Sequence, residues 1–101
     1  MEGDKMIEGS YSIRMTGVLG IVRGVMVIRL IDGKLNGYIE VLRQKNYFNG
    51  EINGDILRFG GEIKMPVGTV MYTAEGEVKD EKIEAYLYTD RGNMHLKGNR
   101  N

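Results

Sequence analysis

Residues 72–78 read YTAEGEV and alternate strictly between polar side chains and a face that carries a glycine. Such alternation predicts a strand with one buried face. Glycine normally weakens a strand interior because it has no side chain to pack. The same placement recurs along the chain, at Gly9, Gly24, Gly37, Gly50, Gly61, Gly76 and Gly98, with Ala85 in one segment. A glycine repeated on the buried face predicts a sheet bent strongly enough to close on itself.

Turn signals separate eight such segments. They are Thr16 to Gly20, Asp32-Gly33, Lys45-Asn46, Asn53-Gly54, Val67-Gly68, Lys79-Asp80 and Asp90 to Asn93. Asp-Gly and Asn-Gly favour the tight turns of β-hairpins, and none of the connections is long enough for a crossover helix. The sequence therefore predicts an all-β fold, a single eight-stranded antiparallel up-and-down meander closed into a small barrel. A flattened barrel or a two-sheet sandwich is the alternative.

The glycine face is also the apolar face in every segment, so it predicts the inside of the barrel. An eight-stranded barrel either holds one small ligand or is filled by side chains. The candidate ligand-binding residues of the lumen are Tyr11, Met26, Phe59, Met65, Tyr72 and Thr89. The expected ligand is small and apolar, with the tyrosine hydroxyls orienting it.

The 101 residues predict one domain, 1–101, in which residues 1–5 form a flexible N-terminal tail. Lys and Arg total 14 and Asp and Glu total 14, so the net charge of zero predicts no nucleic-acid partner. No apolar signal core follows the N-terminus, which favours a cytoplasmic protein. The outward face carries charges such as Arg14, Glu40 and Arg58, whereas a membrane barrel needs an apolar outer face. We therefore expect no membrane partner.

The first segment contains Gly9-Ser10-Tyr11 and the last contains Gly98-Asn99-Arg100. This combination resembles the calycins, which comprise the lipocalin, fatty-acid-binding and avidin families. Their first strand carries a Gly-x-Trp motif that a basic residue of the last strand covers. The resemblance implies an up-and-down barrel in which Arg100 stacks over Tyr11 and closes the base. Tyr11 replaces the tryptophan, and the second lipocalin motif is missing. A designed barrel would use the same glycine device.

Residues for catalysis are sparse on the predicted inner face. His95, the only histidine, is predicted to point outward near strand one, which carries Ser10, Ser12 and Glu8 on its outer face. That grouping would lie on a convex surface without a pocket, so a surface imidazole is the favoured interpretation. The sequence predicts no catalytic residues, no metal site and no cofactor.

Apolar residues on the predicted outer face indicate an interface. The candidate interface residues are Val25, Val27, Tyr38, Leu42 and Tyr47. Contiguous exposed apolar area marks interaction sites, and tyrosine is enriched at them. A symmetric homodimer is the simplest partner that these residues predict.

The sequence is compatible with three functions. The first is a non-catalytic barrel that binds a small apolar ligand in its lumen. The alternative is a homo-oligomeric structural or protein-interaction module with a filled core. The third is an enzyme that uses the lumen as a dry cavity, which an ionisable group such as Arg43 turned into the barrel mouth would favour.

Overall fold

The computed structural model describes residues 7–17, 20–66 and 68–101. The predicted tail of residues 1–5 lies outside these ranges. The strands are β1 (Gly9–Gly17), β2 (Gly20–Ile31), β3 (Lys34–Val41), β4 (Gln44–Asn53), β5 (Ile56–Met65), β6 (Gly68–Lys79), β7 (Lys82–Tyr88) and β8 (Met94–Arg100). Each strand pairs antiparallel with the next, and β8 pairs with β1 to close the barrel. The predicted closed up-and-down meander is confirmed.

Small and large inward residues alternate around the barrel as well as along the strands. One row across six neighbouring strands runs Gly9, Ile28, Gly37, Phe48, Gly61, Tyr72. A second row runs Leu35, Gly50, Phe59, Ala74, Leu87. Each large side chain therefore has small partners beside it. This alternation lets side chains from facing walls interdigitate at the density of a protein core.

The glycines allow neighbouring strands to approach closely. A Cβ atom added at Gly24, Gly37 or Gly50 would overlap a backbone carbonyl oxygen of the adjoining strand. One added at Gly76 would lie 2.5 Å from the Cβ atom of Ala85, its cross-strand partner. The strand that carries an alanine in place of the repeated glycine is therefore paired with a glycine. The missing side chains permit the curvature that closes the barrel.

Aromatic rings occupy the middle of the core. The ring centroids of Phe48 and Phe59 lie 4.9 Å apart, and those of Phe59 and Tyr72 lie 6.1 Å apart. Tyr11 and Met26 are fully buried in the same cluster. Burial of these side chains is the main stabilising contribution to a domain of this size.

The predicted turn at Lys45-Asn46 is wrong. The β3–β4 turn lies at Leu42 and Arg43, which both have positive φ, and β4 already begins at Gln44. Leu and Arg carry none of the usual chemistry of such turns, so propensity could not locate it. Two other hairpin turns lie one residue later than predicted, at Gly54–Asp55 and Asp80–Glu81.

The Asp32-Gly33 turn lies where it was predicted. Both of its residues have positive φ, as a type I′ hairpin requires. Asp and Gly adopt this conformation more readily than other residues, so the dipeptide was a sufficient signal.

Candidate functional site

Most of the predicted lumen residues lie inside the barrel. Tyr11, Met26, Phe59 and Tyr72 are buried in the core. Met65 is half-buried at the end of β5, where it packs against the core cluster. These five residues belong to one continuous apolar interior.

The placement of Thr89 in a lumen-facing strand is wrong, because β7 ends at Tyr88. The Thr89 hydroxyl donates to the Gly92 carbonyl at 2.6 Å and accepts from the Arg91 N–H at 2.9 Å. Both bonds are local to the loop before β8. Thr89 therefore shapes a turn, in the way that threonine hydroxyls commonly do.

Tyr11 and Arg100 meet at the seam between β1 and β8, where they are cross-strand partners. The guanidinium carbon lies 5.1 Å from the Tyr11 ring centroid, so the stacking that the calycin resemblance implies is present. Arg100 also donates to the Glu8 carbonyl, and the Tyr11 hydroxyl donates to the Ile7 carbonyl at 2.6 Å. Burial raises the pKa of Tyr11, and the positive charge of Arg100 opposes the increase.

Tyr72 places a hydroxyl inside the barrel without a hydrogen-bond partner among the described residues. Its side chain is 4% exposed. Burial raises the pKa of Tyr72 far above its ordinary value because the phenolate would lose its hydration. A buried unsatisfied hydroxyl is costly, and each instance in a native protein requires an explanation.

The structure brings four of the predicted interface residues together on the outer surface. Val27, Tyr38 and Tyr47 are directly opposite neighbours on β2, β3 and β4, and Val25 follows on β2. The Tyr38 and Tyr47 rings pack edge to face with centroids 5.5 Å apart. Tyr47 is 67% exposed. We call Val25, Val27, Tyr38 and Tyr47 the β2–β4 patch.

Leu42 is the predicted interface residue that the structure places elsewhere. It was assigned to the outer face of the third strand, but it lies in the β3–β4 turn beyond the end of β3. Its side chain is exposed there. Leu42 is therefore outside the row of strand residues that forms the patch.

Asn46 is a buried polar residue of β4, at a position where the sequence predicts a turn. Its side-chain amide donates to the carbonyls of Ile39 and Gln44, both at 3.1 Å. Its Oδ1 atom accepts from the Lys64 N–H at 2.9 Å. Asn46 thus connects β3, β4 and β5 from within the barrel and satisfies its polar atoms. The regular spacing of inward positions in β4 would have identified it once the turn was placed correctly.

His95 is engaged with a neighbouring carboxylate on the outer surface. Its Nε2 atom lies 2.6 Å from Glu84 Oε2, and its ring stacks on Tyr86 with centroids 4.5 Å apart. The cross-strand partner of His95 on β1 is Thr16, so no serine lies directly opposite it. The serine–histidine–glutamate grouping considered from the sequence is not formed by these residues.

Within the described ranges, no cluster of three or more histidine or acidic side chains is placed to hold a metal ion. No helix of those ranges is long and apolar enough to span a membrane. Comparison of the chain with models of protein families, with curated proteins and with solved structures found no match in any of the three.

Proposed function

We propose that the protein is a non-catalytic interaction module that forms a homodimer through the β2–β4 patch. The observation that carries the proposal is the unbroken row of Val27, Tyr38 and Tyr47 across three adjacent strands. Tyrosines in a contiguous apolar row offer contact area at a low cost in conformational entropy. In a twofold-symmetric dimer, the patch of one copy packs against the same patch of the other copy.

The packing of the interior supports a function on the outer surface. Gly37 lies beside Phe48, and an added Cβ atom there would be 2.9 Å from the Phe48 ring. The space that a glycine leaves is therefore occupied by its large neighbour. This packing favours a partner that contacts the exterior of the barrel over a ligand in its lumen.

Sedimentation equilibrium tests the homodimer with two matched variants. Tyr47→Lys puts a charge into the patch, whereas Met71→Lys replaces an equally exposed apolar residue on β6. These side chains are 67% and 69% exposed, so neither change should disturb the core. We expect wild type and Met71→Lys to be dimers and Tyr47→Lys to be a monomer, because a lysine cannot be desolvated within an apolar interface without large cost.

A strict monomer at the highest soluble concentration of wild type would overturn this proposal. Equal weakening of the dimer by both lysine variants would also contradict it, since a general charge effect would then explain the result.

A second candidate function is the binding of a small apolar ligand in the lumen. The unpartnered hydroxyl of Tyr72 favours it, since one hydrogen-bond acceptor on an otherwise apolar ligand would satisfy that group. A calycin-like relationship would agree with this function, and the closed antiparallel barrel is compatible with calycin architecture. Tyr11, Met26 and Phe59 would then contact the apolar part of the ligand.

Two probes that differ in one acceptor test the second candidate. Acetophenone carries a carbonyl group that ethylbenzene lacks, and their binding can be compared by NMR titration. We expect Tyr72→Phe to weaken acetophenone binding about fivefold, the effect of one net hydrogen bond, and to leave ethylbenzene binding unchanged. Tyr86→Phe, on the outer surface, is the control. No saturable binding of either probe to folded wild-type protein would exclude this candidate.

A further inference from the structure

We propose that the outer surface formed by β2, β1, β8 and β7 is a binding site for a small molecule that carries two or more linked phosphate groups. Three cations meet there as direct cross-strand neighbours. Arg14 on β1 lies opposite Arg23 on β2 and opposite Lys97 on β8. All three side chains are exposed. The sequence alone does not reveal this row, because the register of β1 with β2 and with β8 brings its members side by side.

Like charges that face each other across a sheet are destabilising. Repulsion within the row of three cations therefore lowers the stability of the unbound protein. A bound anion would remove this repulsion. Among the described residues the ion pairs are Arg58–Glu75 and His95–Glu84, and neither involves the row.

The carboxylate on β7 that lies directly across from Lys97 contacts His95. Glu84 is the cross-strand partner of Lys97 on β7, but its Oε2 atom lies 2.6 Å from His95 Nε2. Tyr86 stacks on His95 and helps to hold the imidazole in that position. The His95–Glu84 contact thus leaves the positive charge of Lys97 available to an external anion.

The row lies in an open groove of about 910 Å³. Lys79 and Lys82 add two further cations to its lining, and they are cross-strand partners on β6 and β7. The backbone of Gly24 and Gly98 also lines the groove. Five basic side chains therefore line this open groove, together with the carboxylates of Glu77 and Glu84.

The arrangement fits a short chain of phosphates better than a single anion. Neighbouring strands are about 4.8 Å apart, so the three cations of the row span about 10 Å. Arginine forms paired hydrogen bonds with phosphate oxygens, and lysine acts as a mobile point charge beside them. Linked phosphates would contact Arg23, Arg14 and Lys97 in succession.

Isothermal titration with inorganic tripolyphosphate, at ionic strength fixed with potassium chloride, tests this proposal. We expect saturable binding with one site per chain. Arg14→Gln removes the middle cation and should weaken binding at least about tenfold, the effect of losing charge-assisted hydrogen bonds. Lys97→Gln should act in the same direction. The matched control is Arg58→Gln, which removes an exposed cation from β5, outside the groove.

Thermal unfolding separates loss of binding from loss of folding. Because Arg14 faces two like charges, Arg14→Gln should keep or raise the Tm while it weakens the binding of tripolyphosphate. Equal affinity of Arg14→Gln, Arg58→Gln and wild type for tripolyphosphate would overturn the proposal. Tighter, Arg14-dependent binding of single-stranded oligothymidylate than of tripolyphosphate would replace it with a nucleic-acid site.

Discussion

At the scale of single residues, Gly37 shows how closely the strands approach. A Cβ atom added at Gly37 would overlap the carbonyl oxygen of Val27. Backbone pairing between β2 and β3 holds that oxygen in place. Gly37→Ala should therefore lower the free energy of unfolding by about 3 kcal/mol. Gly60→Ala is the control, because its nearest contact would be the Tyr72 carbonyl oxygen at 2.9 Å and the cost should be smaller. Urea unfolding measures the free energy of unfolding of both variants. Equal losses in the two would contradict the claim that close approach of the strands requires glycine at position 37.

The buried hydroxyl of Tyr72 should make the folded protein less stable in alkaline solution. Its pKa in the folded protein is raised above the ordinary value of 10.0, so the native hydroxyl stays protonated where the unfolded one ionises. The contribution of the protonated Tyr72 hydroxyl to the free energy of unfolding is fully present below pH 10. It falls as the pH rises, by up to about 1.4 kcal/mol per pH unit. Tyr72→Phe should show a shallower decline in urea unfolding between about pH 9 and pH 11. Identical slopes for the two proteins would contradict it.

At the scale of strands, alternation was sufficient to predict the eight strands and their buried faces. The glycine-face residues Met26, Phe59 and Tyr72 lie inside as expected, because successive side chains of a strand point to opposite faces of the sheet. The turn at Leu42–Arg43 was not predictable from propensity, since hairpin pairing imposes positive φ there. The alternation of small and large residues around the barrel depends on strand register, which the sequence does not state.

Asn46 provides a test of how β3, β4 and β5 are held together. Asn46→Ala removes three hydrogen bonds and leaves the Lys64 N–H without its partner. We expect a loss of about 2–3 kcal/mol in urea unfolding and faster hydrogen exchange of the Lys64 amide. Asn49→Ala, an exposed position on the same strand, should change neither quantity appreciably. Unchanged exchange at Lys64 in Asn46→Ala would show that the side-chain bond contributes nothing.

At the scale of the whole molecule, the β1–β8 seam turns a meander into a barrel. Arg100 covers Tyr11, donates to the Glu8 carbonyl and lies against Gly9, where an added Cβ atom would be 2.6 Å from its Nη1 atom. Arg100→Met keeps much of the apolar stem but loses the charge. It should destabilise the protein by about 2 kcal/mol and increase amide exchange selectively in β1 and β8. Arg91→Met, in the loop before β8, is the control, and uniform exchange changes in both variants would argue against a specific seam.

The surface through which two barrels associate can also be tested on the whole molecule. The chain has no cysteine, so spin labels can be attached at single introduced sites. Asn49→Cys lies on β4 beside the β2–β4 patch, and Lys97→Cys lies on β8, across a barrel about 20–22 Å wide. The central claim is that two copies associate through the patch. Double electron–electron resonance should give a short distance between the Asn49→Cys labels of two copies and a clearly longer one for Lys97→Cys. A shorter distance at Lys97→Cys, or no dipolar signal at either site, would contradict it.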